Sequence, residues 1–262
     1  MARLSIDFFS DVLEVGCSMT VVLPQPTEEQ IGVDGAGHGS GIPTTDFPVL
    51  YLLHGLSDNH TAWLRYTSVE RYAAAAGLAV VMPAVNRSFY ANMASGPRYW
   101  DFVADELPEI VGRFFRVSQD PRSTFVAGLS MGGYGAMKLA LSHPERFAAA
   151  ATMSGALDLQ EISRRPDRVG LLDPIFGDTI PEDADLFALL DAADAAALPR
   201  LHVSTGTEDH PGLVAGNRRF VAALEKKGVD VTSDFRPGEH VWSLWDGLLP
   251  EVIDWLLAPA TA

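Results

Sequence analysis

The chain has 262 residues, of which 19 are Lys or Arg and 34 are Asp or Glu, for a formal net charge of −15. So acidic a protein is repelled by nucleic acid and by anionic membrane surfaces, and neither is an expected partner. Its one cysteine, Cys17, excludes an internal disulfide and a cysteine-built zinc site, and no apolar run approaches the ~18 residues of a membrane span.

A hydrophobic fraction of 47% with 20% charged residues suits a globular enzyme, and the length suits one large α/β domain or two small ones. The opening MARLSIDFF has no long apolar stretch ahead of its first acid, so the expected location is cytoplasmic. SMTVVL (18–23) predicts a first strand, and the Gly-, Pro- and Thr-rich stretch that follows (about 25–47) predicts a flexible loop. PVLYLLHG (48–55) and LAVVMP (78–83) are nearly unbroken apolar runs, as expected of strands buried on both faces, with a helix at 69–77 between them. A helix is predicted over 100–115, kinked at Pro108. Strand 123–128, helix 130–143 and strand 147–155 follow, then strand 200–206, helix 216–228, strand 229–236 and helix 241–257. This alternation implies a mostly parallel sheet covered on both faces, in one domain. The mixed, proline-bearing stretch 156–199 is too long for an ordinary connection and is expected to lie over the carboxyl edge of the sheet, where such folds bind ligands.

The sequence TFVAGLSMGGYGAM (124–137) places one serine among glycines at a strand-to-helix junction. GLSMG fits G-x-S-x-G, in which the serine occupies a tight, strained turn and small flanking residues avoid Cβ clashes. The free amides of the following helix then favour negative charge developing beside Ser130.

A nucleophilic serine needs a base and a group that orients the base. His240, in the polar turn RPGEHVW between the last strand and the last helix, suits the base. His202 falls inside a strand, and the ring of His210 competes with its neighbour Asp209. His143 precedes a proline, His38 is in the Gly-rich loop, His54 precedes a glycine at a strand end, and His60 reads as a structural hydrogen-bonder. Asp209, just after the strand 200–206, is the preferred acid, with Glu208 beside it and Asp158 as its rival. HGLSDN (54–59) ends a strand where an oxyanion-stabilising amide is expected, which assigns the donors to the backbone of Leu56 and Met131. Trp63, Phe89, Tyr90, Trp242 and Trp245 flank these segments and are the candidate substrate-pocket residues, with a place in the core as the alternative reading for most of them. Nothing in the composition calls for a metal or an organic cofactor.

Taken together, LLHGLSDNHTAWLRYTSVERY, VVMP, ELPEIVGRFF, FVAGLSMGGYGAMKLAL, MSGALD, GTEDH and GEHVWSLW resemble the tributyrin esterase branch of the esterase D family, over about 49–256. The resemblance implies an α/β-hydrolase fold and a serine carboxylesterase acting on short-chain acyl esters, and it places nucleophile, acid and base on Ser130, Asp209 and His240. Related S-formylglutathione hydrolases usually carry a cysteine where this chain has Ser57 and Asp58, and a histidine where it has Leu129. That thioesterase activity is therefore the alternative, followed by acyl transfer on the same fold. A non-enzymatic interaction protein would be expected to have lost a member of the set. The acidic chain is further expected to prefer neutral esters to anionic thioesters, and a homo-oligomer is compatible with the sequence.

Overall fold

The computed structural model describes residues 1–25 and 46–259; most of the predicted Gly-rich loop, His38 included, lies outside them. Eight strands form one sheet: β1 (Ala2–Ser10), β2 (Val15–Leu23), β3 (Val49–Leu53), β4 (Ala79–Pro83), β5 (Thr124–Leu129), β6 (Ala149–Met153), β7 (Arg200–Gly206) and β8 (Val231–Arg236). Their spatial order is β1-β2-β4-β3-β5-β6-β7-β8. The six strands from β4 to β8 run parallel, and β1 and β2 add an antiparallel ribbon at one edge. The sequence reading missed β1, although Leu4, Ile6 and Phe8 alternate with polar neighbours as a half-buried strand requires.

Successive residues of β3 point into different cores. Val49, Tyr51 and Leu53 join one apolar cluster, and Leu50 and Leu52 the other. This alternation explains why the strand reads as a continuous apolar run. On the second face lie α1 (Ala62–Tyr66), α2 (Val69–Ala76) and the closing helix, numbered α10 below (Trp242–Leu257). That closing helix buries Trp245, Leu248, Leu249, Val252, Ile253 and Leu256. These positions form a single stripe at helical spacing, and each side chain contributes roughly 1.5–3 kcal/mol by leaving water.

The first face carries α3 (Tyr99–Asp101), α4 (Leu107–Phe114), α5 (Met131–Ser142), α6 (Leu159–Ser163), α7 (Asp173–Phe176), α8 (Leu186–Ala192) and α9 (Pro211–Lys227), followed in the chain by α10. The stretch expected as one helix kinked at Pro108 is divided ahead of the proline. Phe102–Glu106 winds as a π turn between α3 and α4, and Pro108 stands in the first turn of α4. Its ring removes the amide that would bond the carbonyl of Ala104, and Arg146 Nη1 donates to that oxygen instead at 2.6 Å. The last residue of the π turn, Glu106, receives the amides of Asp11 (2.7 Å) and Val12 (3.3 Å) and the hydroxyl of Ser10, so it holds the β1–β2 turn. At the other end Trp100 stacks on His143, with Lys138 Nζ 4.2 Å above its ring.

Candidate active site

Ser130 follows β5 directly and occupies the N-cap position of α5 with φ 52° and ψ −116°, a conformation non-glycine residues rarely adopt. Its amide donates to the Met153 carbonyl at 3.0 Å, which fixes the turn on β6. The flanking glycines are required by proximity. A Cβ on Gly132 would lie 2.3 Å from the carbonyl oxygen of Leu53, and one on Gly128 would lie 2.4 Å from the backbone of Gly132. The chain can therefore raise a serine above the sheet edge only if residues 128 and 132, two positions to either side, lack side chains.

The turns after β7 and β8 are joined to each other. Thr207 N donates to Arg236 O (2.8 Å), and Glu208 N to Gly238 O (2.9 Å). This pairing sets Asp209 opposite His240. Asp209 Oδ2 lies 2.7 Å from His240 Nδ1, and His240 Nε2 lies 3.1 Å from Ser130 Oγ. The Asp209 side chain is 0% exposed against 34% for His240, and its other oxygen accepts the His210 amide at 2.6 Å. Trp245 packs at right angles to the His240 ring, 4.8 Å between centroids, and its Nε1 donates to Ser154 Oγ at 3.3 Å. A hydroxyl facing an imidazole, with a buried carboxylate on the far nitrogen, can pass its proton to the ring while attacking a carbonyl carbon.

The rival acid is engaged elsewhere. Asp158 caps α6 by accepting the Glu161 amide at 2.9 Å and pairs with Arg219 at 2.6 Å. Glu208 is exposed. His210 caps α9, its Nδ1 accepting the Gly212 amide at 3.1 Å.

Ser130, His240 and Asp209 border a cavity of about 630 Å³, together with Leu56 and Met131. Of the candidate pocket aromatics Phe89, Trp242 and Trp245 line it, and Trp63 and Tyr90 do not. Both are fully buried. Trp63 donates from its indole nitrogen to Leu53 O at 3.2 Å, and Tyr90 from its hydroxyl to His54 O at 2.9 Å. Their flanking positions in sequence reflect a packing role, since an aromatic with a polar tip can be buried where that tip finds a partner. The segment 156–199 contributes Ile162, Arg165, Arg168 and Leu171 to the cavity wall. The sequence signal for those arginines is RRPDR, a basic run in an acidic chain, which reads by itself as solvated connector.

His54 orders the segment bearing Leu56. Its Nδ1 donates to Gly55 O at 2.7 Å and its Nε2 accepts the Val85 amide at 3.1 Å, so the ring is the neutral Nδ1–H tautomer. Burial pushes its pKa down to about 4. Burial also raises the carboxyl of Asp58 on the same wall, opposed by the Gly55 amide and by Arg65. Among the described residues no helix is long and apolar enough to cross a membrane, and no group of three or more His, Cys, Asp or Glu could hold a metal ion.

Residues 38–256 match the family described as "Putative esterase". An acetyl esterase of Caldicellulosiruptor saccharolyticus is 27% identical over 98% of both chains. Among solved structures, a fluorophosphonate-binding serine hydrolase of Staphylococcus aureus superposes with a TM-score of 0.86 at 32% identity, over 98% of this chain and 99% of the other. An S-formylglutathione hydrolase of the same organism superposes at 0.83, again 32% identical, with the same coverage. The chain belongs to this esterase family and is a serine carboxylic ester hydrolase of the α/β-hydrolase fold.

Proposed function

We propose that the enzyme hydrolyses short-chain acyl esters through an acyl-enzyme on Ser130, with His240 as general base and then acid and Asp209 as the orienting carboxylate. The observation that carries this reading is the unbroken contact from Ser130 Oγ through His240 to buried Asp209 on the cavity wall. Ser130 Oγ attacks the ester carbonyl as its proton passes to His240 Nε2. The carbon–oxygen bond of the leaving alcohol then breaks, and that alcohol takes the proton from His240. Water repeats the sequence on the acyl-enzyme and releases the acid. The amides of Leu56 and Met131 are the proposed oxyanion donors, because both residues border the cavity beside Ser130. The likeness to an acetyl esterase supports a short acyl group. The net charge of −15 supports a small-molecule substrate over nucleic acid, and a cytoplasmic location remains the reading of the sequence, to be checked by cell fractionation.

Thioester hydrolysis is the second reading, favoured by the likeness to an S-formylglutathione hydrolase. One experiment separates the two. Turnover of acetyl, butyryl and octanoyl p-nitrophenyl esters is compared with that of S-formylglutathione, for the parent and for Ser130→Ala. The proposal expects acetyl or butyryl to lead and Ser130→Ala to lose on the order of 10⁴ to 10⁶ in kcat. Faster turnover of S-formylglutathione than of every ester would favour the second reading, and near-normal activity in Ser130→Ala would refute both.

A further inference from the structure

The charge around the nucleophile opposes that of the whole chain. Three arginines, Arg87, Arg165 and Arg168, line the cavity that holds Ser130, although the protein as a whole carries −15. The carboxylates on the same wall are Asp58 and Asp209, and Asp209 is occupied by His240.

The side chain of Arg165 is held by an ion pair, whereas at Arg87 it is the loop backbone that is fixed. Arg165 is only 13% exposed at its side chain, and Asp167 grips it from Nε (3.1 Å) and Nη2 (2.8 Å). A guanidinium has five N–H groups, so this grip orients Arg165 and leaves donors over. Asp167 also approaches Arg168 Nη1 at 3.4 Å. Arg87 has no ion-pair partner among the described residues, and it projects from a loop in which Asn86, Phe89 and Tyr90 all have positive φ. That loop is pinned by Asn86 Nδ2 to Tyr99 Oη (2.5 Å) and by the Tyr90 amide to Ser88 Oγ (3.1 Å). Backbone strain retained by such pinning is characteristic of sites that position a functional group.

We infer that the leaving-group side of the cavity is built for an anion, so that the preferred substrate is an acyl ester of an alcohol carrying a carboxylate. This rests on the esterase reading above. A short acyl group fills a small part of about 630 Å³, and the remaining space bordered by the arginines belongs to the alcohol. This inference runs against the expectation from net charge, that neutral esters are preferred, because donors next to the substrate act more strongly than distant, screened charges.

The test uses the matched pair 4-(acetoxymethyl)benzoate and its methyl ester, which differ in one charge remote from the scissile bond. The measured quantity is the ratio of kcat/KM for anionic over neutral ester, in the parent, Arg87→Gln and Arg168→Gln, alongside fluorophosphonate labelling of Ser130. The expected ratio in the parent is about tenfold or more, falling by about tenfold in Arg87→Gln and falling also in Arg168→Gln. A parent ratio at or below one, with Ser130 labelled and the neutral ester hydrolysed, would overturn this inference and leave the esterase reading standing. A high ratio that neither substitution lowers would also overturn it. Absence of both labelling and hydrolysis would remove the esterase reading, and this inference with it.

Discussion

His54 and Val85 are joined side chain to backbone across the end of the sheet, Nε2 of the ring accepting the Val85 amide at 3.1 Å. The ring's other nitrogen holds Gly55, one residue before the proposed oxyanion donor Leu56. His54→Ala would strand the buried Val85 amide and open a void, costing roughly 1–3 kcal/mol for the unpaired donor alone. Urea unfolding should show that loss, and fluorophosphonate labelling of Ser130 should slow, because the Leu56 amide is no longer fixed. A variant with the parent's midpoint and labelling rate would show that the contact is idle.

The same ring sets a pH dependence of stability. In the folded chain His54 and His202 are each pushed by burial from the ordinary 6.5 down to about 4. Between these values the unfolded chain binds protons that the folded chain does not, so stability rises with pH. The contribution is complete above about 6.5 and is lost as pH falls toward about 4. Urea midpoints should therefore drop from pH 7 to pH 5, and replacing His202 with a non-titrating residue should flatten part of that slope. Midpoints that are level across the window would contradict the assignment.

Asp209 and Asp158 are expected to separate cleanly. Asp209→Asn keeps the shape beside His240 but removes the charge that holds and stabilises the ring, and should cut kcat by roughly 10⁴ with the fold intact. Asp158→Ala removes the cap of α6 and the partner of Arg219. It should cost ~1 kcal/mol of stability and keep most of the ester turnover. The opposite ranking in a kcat comparison would move the acid to the end of β6.

Gly132→Ala adds a single carbon, yet that carbon would lie 2.3 Å from Leu53 O and 2.7 Å from His54 O. Both are backbone atoms, which cannot swing aside as the end of a side chain can. The substitution should cost about 3 kcal/mol or more and displace Ser130, seen as a lowered melting temperature together with loss of labelling. A stable, fully labelled variant would mean that β3 and α5 can separate at little cost.

The parts of the site that depend on local sterics were the most legible in sequence. Ser130 is announced by glycines, because the turn admits nothing larger. Asp209 and His240 could be placed after their strands, but their meeting depends on the bonds between the β7 and β8 turns, whose partners are 29 and 30 residues apart. The long helix around Pro108 was read from periodicity, which cannot register a π turn that inserts a residue into the helical count. Core and pocket roles cannot be told apart for Trp63 and Tyr90 in sequence, because an aromatic beside a functional motif has the same letter whether its polar tip meets a backbone carbonyl, as both do here, or a ligand. Arg165 and Arg168 escaped for the reverse reason. Charged residues in a connector ordinarily face water, and only the path of 156–199 turns them toward the cavity.

The π turn at Phe102–Glu106 works as an angular offset. Each residue of an ordinary helix advances about 100° around the axis and 1.5 Å along it. If these residues wound regularly with none removed, the stretch before them would rotate by about that angle relative to Leu107–Phe114. Trp100 could not then face Lys138 and His143 while Leu107 and Val111 kept their places in the core. One surplus residue thus lets a single rod address two surfaces out of phase. A substitution that favours regular winding there would strengthen the rod locally while setting its two halves against each other.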